Sequence, residues 1–136
     1  MDSRLEDVIG RILAETKTVA VVGLSDRPDR PSHDVARYLQ KRGYRIIPVN
    51  PNVREVLGEP SYGSLAEIPG AVDLVDVFRK PEFVPGIASE AIRIGAKSFW
   101  MQEGIVSERA RKELAAAGIP VVMDRCVKKE LARRGR

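Results

Sequence analysis

Short apolar runs alternate with stretches of helical spacing along this chain, and that alternation constrains its fold more than any other feature. The runs are TVAVV at 18–22, YRIIPV at 44–49, VDLVDVF at 72–78, KSFWM at 97–101 and PVVM at 120–123. Runs this short and this apolar fit strands buried on both faces of a parallel sheet. Between them, Ser32 is placed to cap a helix reaching about Arg42, and Phe83, Val84, Ile87, Ala88 and Ala91 form a helical stripe. Ser107 is placed to cap a further helix reaching Ala117. Gly43, Gly95 and Gly118 each separate a helix from the next strand, where a left-handed residue ends the helix. Repeated strand–helix–strand units make the fold class α/β, a doubly wound parallel five-stranded sheet. An extra N-terminal helix, about Arg4 to Ala14, follows from the capping-box pattern Ser3-x-x-Glu6 and from Leu5, Val8, Ile9, Ile12 and Leu13. Segment 52–64, rich in Gly and Pro, reads as a surface excursion with a short hairpin.

The 136 residues, 43% hydrophobic and 31% charged, are expected to form one domain, 1–136, that folds without disulfides or metal. Within it, 1–16 is the N-terminal helix and 127–136 a basic C-terminal helix or tail. No apolar run approaches the ~20 residues of a membrane helix. The N-terminal residues lack a signal-peptide core. The expected location is therefore the cytoplasm, with no membrane partner. One cysteine and one histidine exclude an internal disulfide and a Cys/His zinc cluster. The formal charge of +4 is carried entirely by 128–136, which holds five basic groups and one acid. Such a tail reads as a solvated helix end or frayed terminus, not as the basic stripe that nucleic-acid binding requires. No nucleic-acid partner is expected, and the oligomeric state is not legible.

Open α/β sheets bind ligands beyond the carboxyl ends of their strands, where the strand order reverses. Polar residues follow every run: Gly23 to Ser32, Asn50-Pro51-Asn52, Arg79-Lys80-Pro81, Gln102-Glu103-Gly104 and Asp124-Arg125-Cys126. The first of these loops is the sharpest signal. Gly23 lets a ligand approach the backbone, and the helix that follows offers free N–H groups to an anion. Ser25 and Ser32 can donate hydroxyl hydrogen bonds to phosphate, and Arg27 and Arg30 can add charge-assisted ones. Phe78, at the end of the third run, can pack on an adenine ring. The dinucleotide pattern G-x-G-x-x-G is absent, because position 25 is serine and position 28 proline. The second run ends in Asn50-Pro51 instead of a ribose-binding acid, and no P-loop pattern occurs.

The pieces VVGLSDRPDRPS, PVNPN, VDLVDVFRKPE, GAKSFWMQEGI and GIPVVMDRC, in this order, resemble the small stand-alone CoA-binding proteins of the YccU-like group. They are similar, more distantly, to the CoA-binding domain of the succinyl-CoA synthetase alpha subunit. The resemblance runs from about Thr18 to Cys126. It implies a Rossmann-like fold, coenzyme A or an acyl-CoA as ligand, and binding across the carboxyl edge of the sheet. Carried over by position, it implicates Gly23, Ser25, Arg30 and Ser32, then Asn50 and Pro51, with Arg54 as the nearest basic residue. It also implicates Glu103 and Gly104, preceded by Met101 and Gln102. The synthetase keeps its phosphorylated histidine in a second domain with no counterpart in these residues, so its activity does not carry over.

Catalytic candidates are few. His33 reads as an exposed helix-start residue without a triad partner. Cys126 lies beside Arg125 and a helix start, which would favour a thiolate able to form a disulfide with CoA; its simpler role is a small buried hydrophobe. Backbone N–H groups near Gly23 and Gly104 could form an oxyanion site. Asp73 and Asp76 fall on opposite faces of their strand, so no metal pair is expected. Phe99 and Trp100 read as core. Three classes of function fit these residues. One is non-catalytic binding of CoA or acyl-CoA, the reading preferred. The second is a nucleotide- or CoA-dependent transferase or oxidoreductase, and the third a regulatory interaction domain with a vestigial pocket.

Overall fold

The computed structural model describes residues 3–135. Among the described residues there are seven strands and five α-helices. They are α1 (Ser3–Glu15), β1 (Thr18–Val22), α2 (Pro31–Lys41), β2 (Arg45–Val49), β3 (Glu55–Val56), β4 (Glu59–Pro60) and β5 (Leu74–Val77). Then come α3 (Val84–Ile94), β6 (Ser98–Met101), α4 (Glu108–Ala116), β7 (Val121–Val122) and α5 (Val127–Arg133). Five strands form one sheet in the order β2-β1-β5-β6-β7, and every pair in it is parallel. The order reverses between β1 and β5. β3 and β4 make the small antiparallel hairpin expected in segment 52–64. The chain is thus a Rossmann-like α/β domain with an additional N-terminal helix.

Helices cover both faces. α1, α2 and α5 pack Ile9, Ile12, Val35, Leu39, Val127 and Leu131 against Val19, Val21, Leu74 and Trp100. α3 and α4 pack Val84, Ala88, Ala91, Ala110 and Leu114 against Ala20, Val22, Val75, Val77 and Phe99. Phe99 and Trp100 are fully buried, as expected, and the indole N–H of Trp100 donates to the Arg125 carbonyl at 2.7 Å. Gly43, Gly95 and Gly118 all have positive φ. Ser107 caps α4, its hydroxyl accepting from the Ala110 N–H.

Three local expectations are corrected. Ser32 is not the cap of α2: Arg30 holds that position and Pro31 begins the helix. The Ser32 hydroxyl instead accepts from the Ser25 N–H at 3.0 Å. Glu6 makes no capping box; its Oε1 accepts from Arg133 at 2.7 Å and from Arg134 at 2.9 Å. As far as Gly135, the basic C-terminal segment is not a frayed terminus, although the Lys129 and Arg133 side chains stay exposed. It forms α5, buries Val127, Glu130 and Leu131, and ties its cations to the body through Lys128–Asp34, Lys129–Glu103 and the Glu6/Glu130/Arg133/Arg134 cluster. Among the described residues, no helix is long and apolar enough to cross a membrane.

Candidate functional site

A cavity of 300 Å³ opens at the carboxyl edge of the sheet, where the strand order reverses. Gly23, Ser25, Arg27, Arg30, Pro31, Ser32 and Phe78 line it. Its backbone is fixed from both sides. The Gly23 N–H donates to Val49 and the Phe78 N–H to Val22, at 2.9 and 2.8 Å. Asn50 Nδ2 holds the Leu24 carbonyl at 2.9 Å, and Asn50 Oδ1 accepts from the Asn52 N–H. Asn50 therefore braces the loop.

The two serines are prepared to donate. Ser25 Oγ accepts from the Arg27 N–H, and Ser32 Oγ accepts from the Ser25 N–H, each at 3.0 Å. Each hydroxyl has one proton, and these bonds leave it free for an acceptor. Arg30 is exposed and has no ion-pair partner among the described residues, whereas Arg27 faces Asp29 at 3.4 Å. The Arg79 guanidinium stacks 4.4 Å from the centre of the exposed Phe83 ring, and Arg54 stands exposed just before β3. Unlike the neutralised cations of α5, Arg30 is available to an anion at the start of a helix.

Other sequence candidates lie elsewhere or are engaged. Met101 is fully buried in the α3/α4 core, so its side chain packs and does not reach the edge. Gln102 is buried and its Oε1 accepts from the Val127 N–H, so it fastens the start of α5. Glu103 pairs with Lys129 at 3.1 Å, and Pro51 is exposed beside the edge. The proposed oxyanion donors are taken: Gly23 N–H by Val49, and Gly104 N–H by Asp124 Oδ1 at 2.7 Å. His33 is 9% exposed, not an open helix-start residue, and its Nδ1 has no hydrogen-bond partner. α5 packs beside α2, the Lys128–Asp34 pair at 2.7 Å joining the two. Cys126 is equally buried just before α5, and the neighbouring Arg125 guanidinium turns to Glu130 at 3.4 Å. Asp73 accepts from the N–H groups of Lys17 and Thr18, both at 3.0 Å, at the opposite end of the sheet. Sequence reasoning passed over Pro31, which walls the cavity; proline at a first helical position was the available signal.

A profile of the CoA-binding domain family matches residues 17–132, which includes every residue lining this cavity. The chain belongs to the CoA-binding domain family. The Bacillus subtilis protein YneT is 50% identical over 120 residues, covering 88% of this chain and 89% of its own. An ADP-forming acetate–CoA ligase of Archaeoglobus fulgidus is 31% identical over 104 residues; the match covers 75% of this chain but only 16% of the ligase. The solved structure of a Pyrococcus horikoshii protein superposes with a TM-score of 0.91 at 38% identity, covering 94% of this chain and 90% of that one. This CoA-binding domain thus shares its fold with stand-alone proteins of similar size and with one segment of a much longer ligase.

Proposed function

We propose that the chain binds coenzyme A or an acyl-CoA at the carboxyl edge without turning it over, the whole of 1–136 acting as one binding unit. One observation carries this reading: two serine hydroxyls with free protons face the same cavity as Arg30, a cation with no ion-pair partner among the described residues. That set suits the phosphates of the nucleotide end, and Phe78 beside it offers a face to adenine. Family membership and the ligase relative support the same ligand. Calorimetric titration with CoA is expected to show saturable binding that weakens as salt rises. Arg30→Ala is expected to lose about 1–3 kcal/mol of binding free energy, the range for hydrogen bonds to charged groups. Because Arg30 holds no other side chain, the thermal midpoint should not move. Binding of NAD⁺ as tight as that of CoA, or unaltered CoA affinity in Arg30→Ala, overturns the assignment.

The non-catalytic part of the reading rests on the engaged donors and buried thiol. Thioester hydrolysis needs an activated nucleophile and an oxyanion site together. Here Gly23 and Gly104 direct their N–H groups to protein acceptors, and Cys126 is buried at the start of α5. Acetyl-CoA incubated with the pure protein is expected to be recovered intact, at the rate of the buffer control. Turnover that disappears in Cys126→Ser or His33→Ala would promote the enzyme reading.

A further inference from the structure

A second cavity, of 630 Å³, lies at the amino edge of the sheet, the end opposite the candidate CoA site. It opens between the last turns of α1, the turn joining α2 to β2, and the end of α5. Its floor is apolar. Leu13 and Leu131 are buried there beside Tyr44, whose hydroxyl donates to the Leu13 carbonyl at 2.7 Å. Its polar wall is cationic, with Lys17, Arg42 and Arg134 and no carboxylate. Glu6 and Glu130 neutralise Arg134. Lys17 and Arg42 have no ion-pair partner among the described residues; the Arg42 guanidinium donates to the Tyr38 hydroxyl, stacks on its ring and lies near Tyr44.

Helix ends do not account for these cations. The Ile12 and Leu13 carbonyls at the end of α1 already accept from Thr16 and Tyr44. The Tyr38, Leu39 and Gln40 carbonyls at the end of α2 accept from the N–H groups of Arg42, Gly43 and Tyr44. Gly10 adds an independent observation. It lines the cavity from the middle of α1 with no positive φ, and a Cβ there would meet no protein atom within 4 Å. Glycine weakens a helix interior relative to alanine. Neither the backbone nor packing requires it at this position, and the space it keeps belongs to the cavity.

We propose that this cavity binds a small amphipathic carboxylate, with its apolar body over Leu13 and Leu131 against Gly10 and its head between Lys17 and Arg42. The volume lies within the roughly 300–1,000 Å³ of small-molecule sites. Two uncompensated cations over an apolar floor suit a single anionic head on a hydrocarbon body better than a polyphosphate. The site is separate from the carboxyl edge and does not depend on the CoA reading.

Octanoate is the probe, followed by amide NMR shifts. Saturable shifts are expected at Gly10, Thr16 and Gly43 at millimolar octanoate, and smaller ones with octanol or inorganic phosphate. Gly10→Leu fills the space, and Lys17→Met removes a head-group partner from an exposed side chain. Lys17→Met is expected to weaken octanoate binding roughly tenfold, the scale of one charge-assisted contact, and Gly10→Leu to weaken it by occlusion, both with CoA titration unchanged. Lys17→Met keeps the test decisive should Gly10→Leu disturb α1. Three results each overturn the proposal: no shifts at the amino edge, octanol binding as well as octanoate, or full affinity in Lys17→Met.

Discussion

Asp76→Asn is expected to stabilise the protein at neutral pH, by an amount that grows with pH. Asp76 lies on β5, the central strand, between Val21 of β1 and Trp100 of β6. It shares a face with Leu74 and is fully buried. Neither carboxyl oxygen has a hydrogen-bond partner. Burial pushes this carboxyl well above 3.8, and no neighbouring cation opposes the shift. An acid raised in the folded state takes up a proton on folding, so its contribution is complete below the unfolded value near 3.8 and is lost as pH rises from there. The loss runs at about 1.4 kcal/mol per pH unit until the folded carboxyl also ionises. Asparagine has nearly the shape of the protonated acid and never ionises.

The two proteins should therefore be similar in stability near pH 4 and diverge above it, the variant being the more stable. Other carboxylates act in the opposite sense. Hydrogen bonds from Arg133 and Lys128 lower Glu6 and Asp34 respectively. Burial raises Asp73 and Glu130, but their donors together outweigh it and bring both below their ordinary values. These groups contribute stability above their unfolded values and lose it as pH falls, equally in both proteins, so they cancel in the difference. Urea unfolding of parent and variant across a pH series measures the gap. A gap independent of pH, or a parent more stable throughout, would show that Asp76 has a partner in solution.

Much of the sheet was legible because a strand buried on both faces writes itself as an apolar run, and a helix end writes itself as glycine. The strand ends were less so. The run at 72–78 shortens to Leu74–Val77, although the Asp73 backbone still bonds to Thr18 and Ser98, and its carboxylate accepts from the Lys17 and Thr18 N–H groups. Ser32 looked like a cap, but Pro31 already starts the helix and the serine hydroxyl serves a loop seven residues away. The burial of His33 and the docking of the basic C-terminal segment depend on contacts across the chain. Glu6 meets Arg133 over 127 positions and Lys128 meets Asp34 over 94. Nothing local to either end marks such a pairing. The loop from Gly23 to Ser32 stood out in the sequence because its glycine, hydroxyls and arginines are contiguous, and the fold gathers Gly23, Ser25, Arg27, Arg30 and Ser32 around one cavity. The engagement of Gly104, Gln102 and Asn50 was not legible, because their partners, Asp124, Val127 and Leu24, lie in distant segments.

Gly23→Ala is expected to destabilise the fold by about 2–4 kcal/mol, at the upper end for single substitutions, and to weaken CoA binding with it. Gly23 has φ +88°, where an alanine costs roughly 1–2 kcal/mol. Its new Cβ would also lie 2.6 Å from the Phe78 carbonyl oxygen and 3.0 Å from Arg79 Cδ. The oxygen belongs to the backbone, and the Phe78 N–H is bonded to Val22 at 2.8 Å. Relief therefore requires β1 and β5 to part at the reversal of strand order, where the cavity opens, carrying Phe78 out of its wall. Gly118→Ala provides the control. Its φ is +79°, nearly the same, and a Cβ there would meet nothing within 4 Å. It should show the conformational strain alone, roughly 1–2 kcal/mol, with CoA binding unchanged. The difference between the two variants in urea unfolding isolates the contact at Phe78, and CoA calorimetry on both reports its effect on the site. Equal destabilisation of the two, with CoA affinity retained in Gly23→Ala, would mean that the ligand does not depend on the close approach of these strand ends.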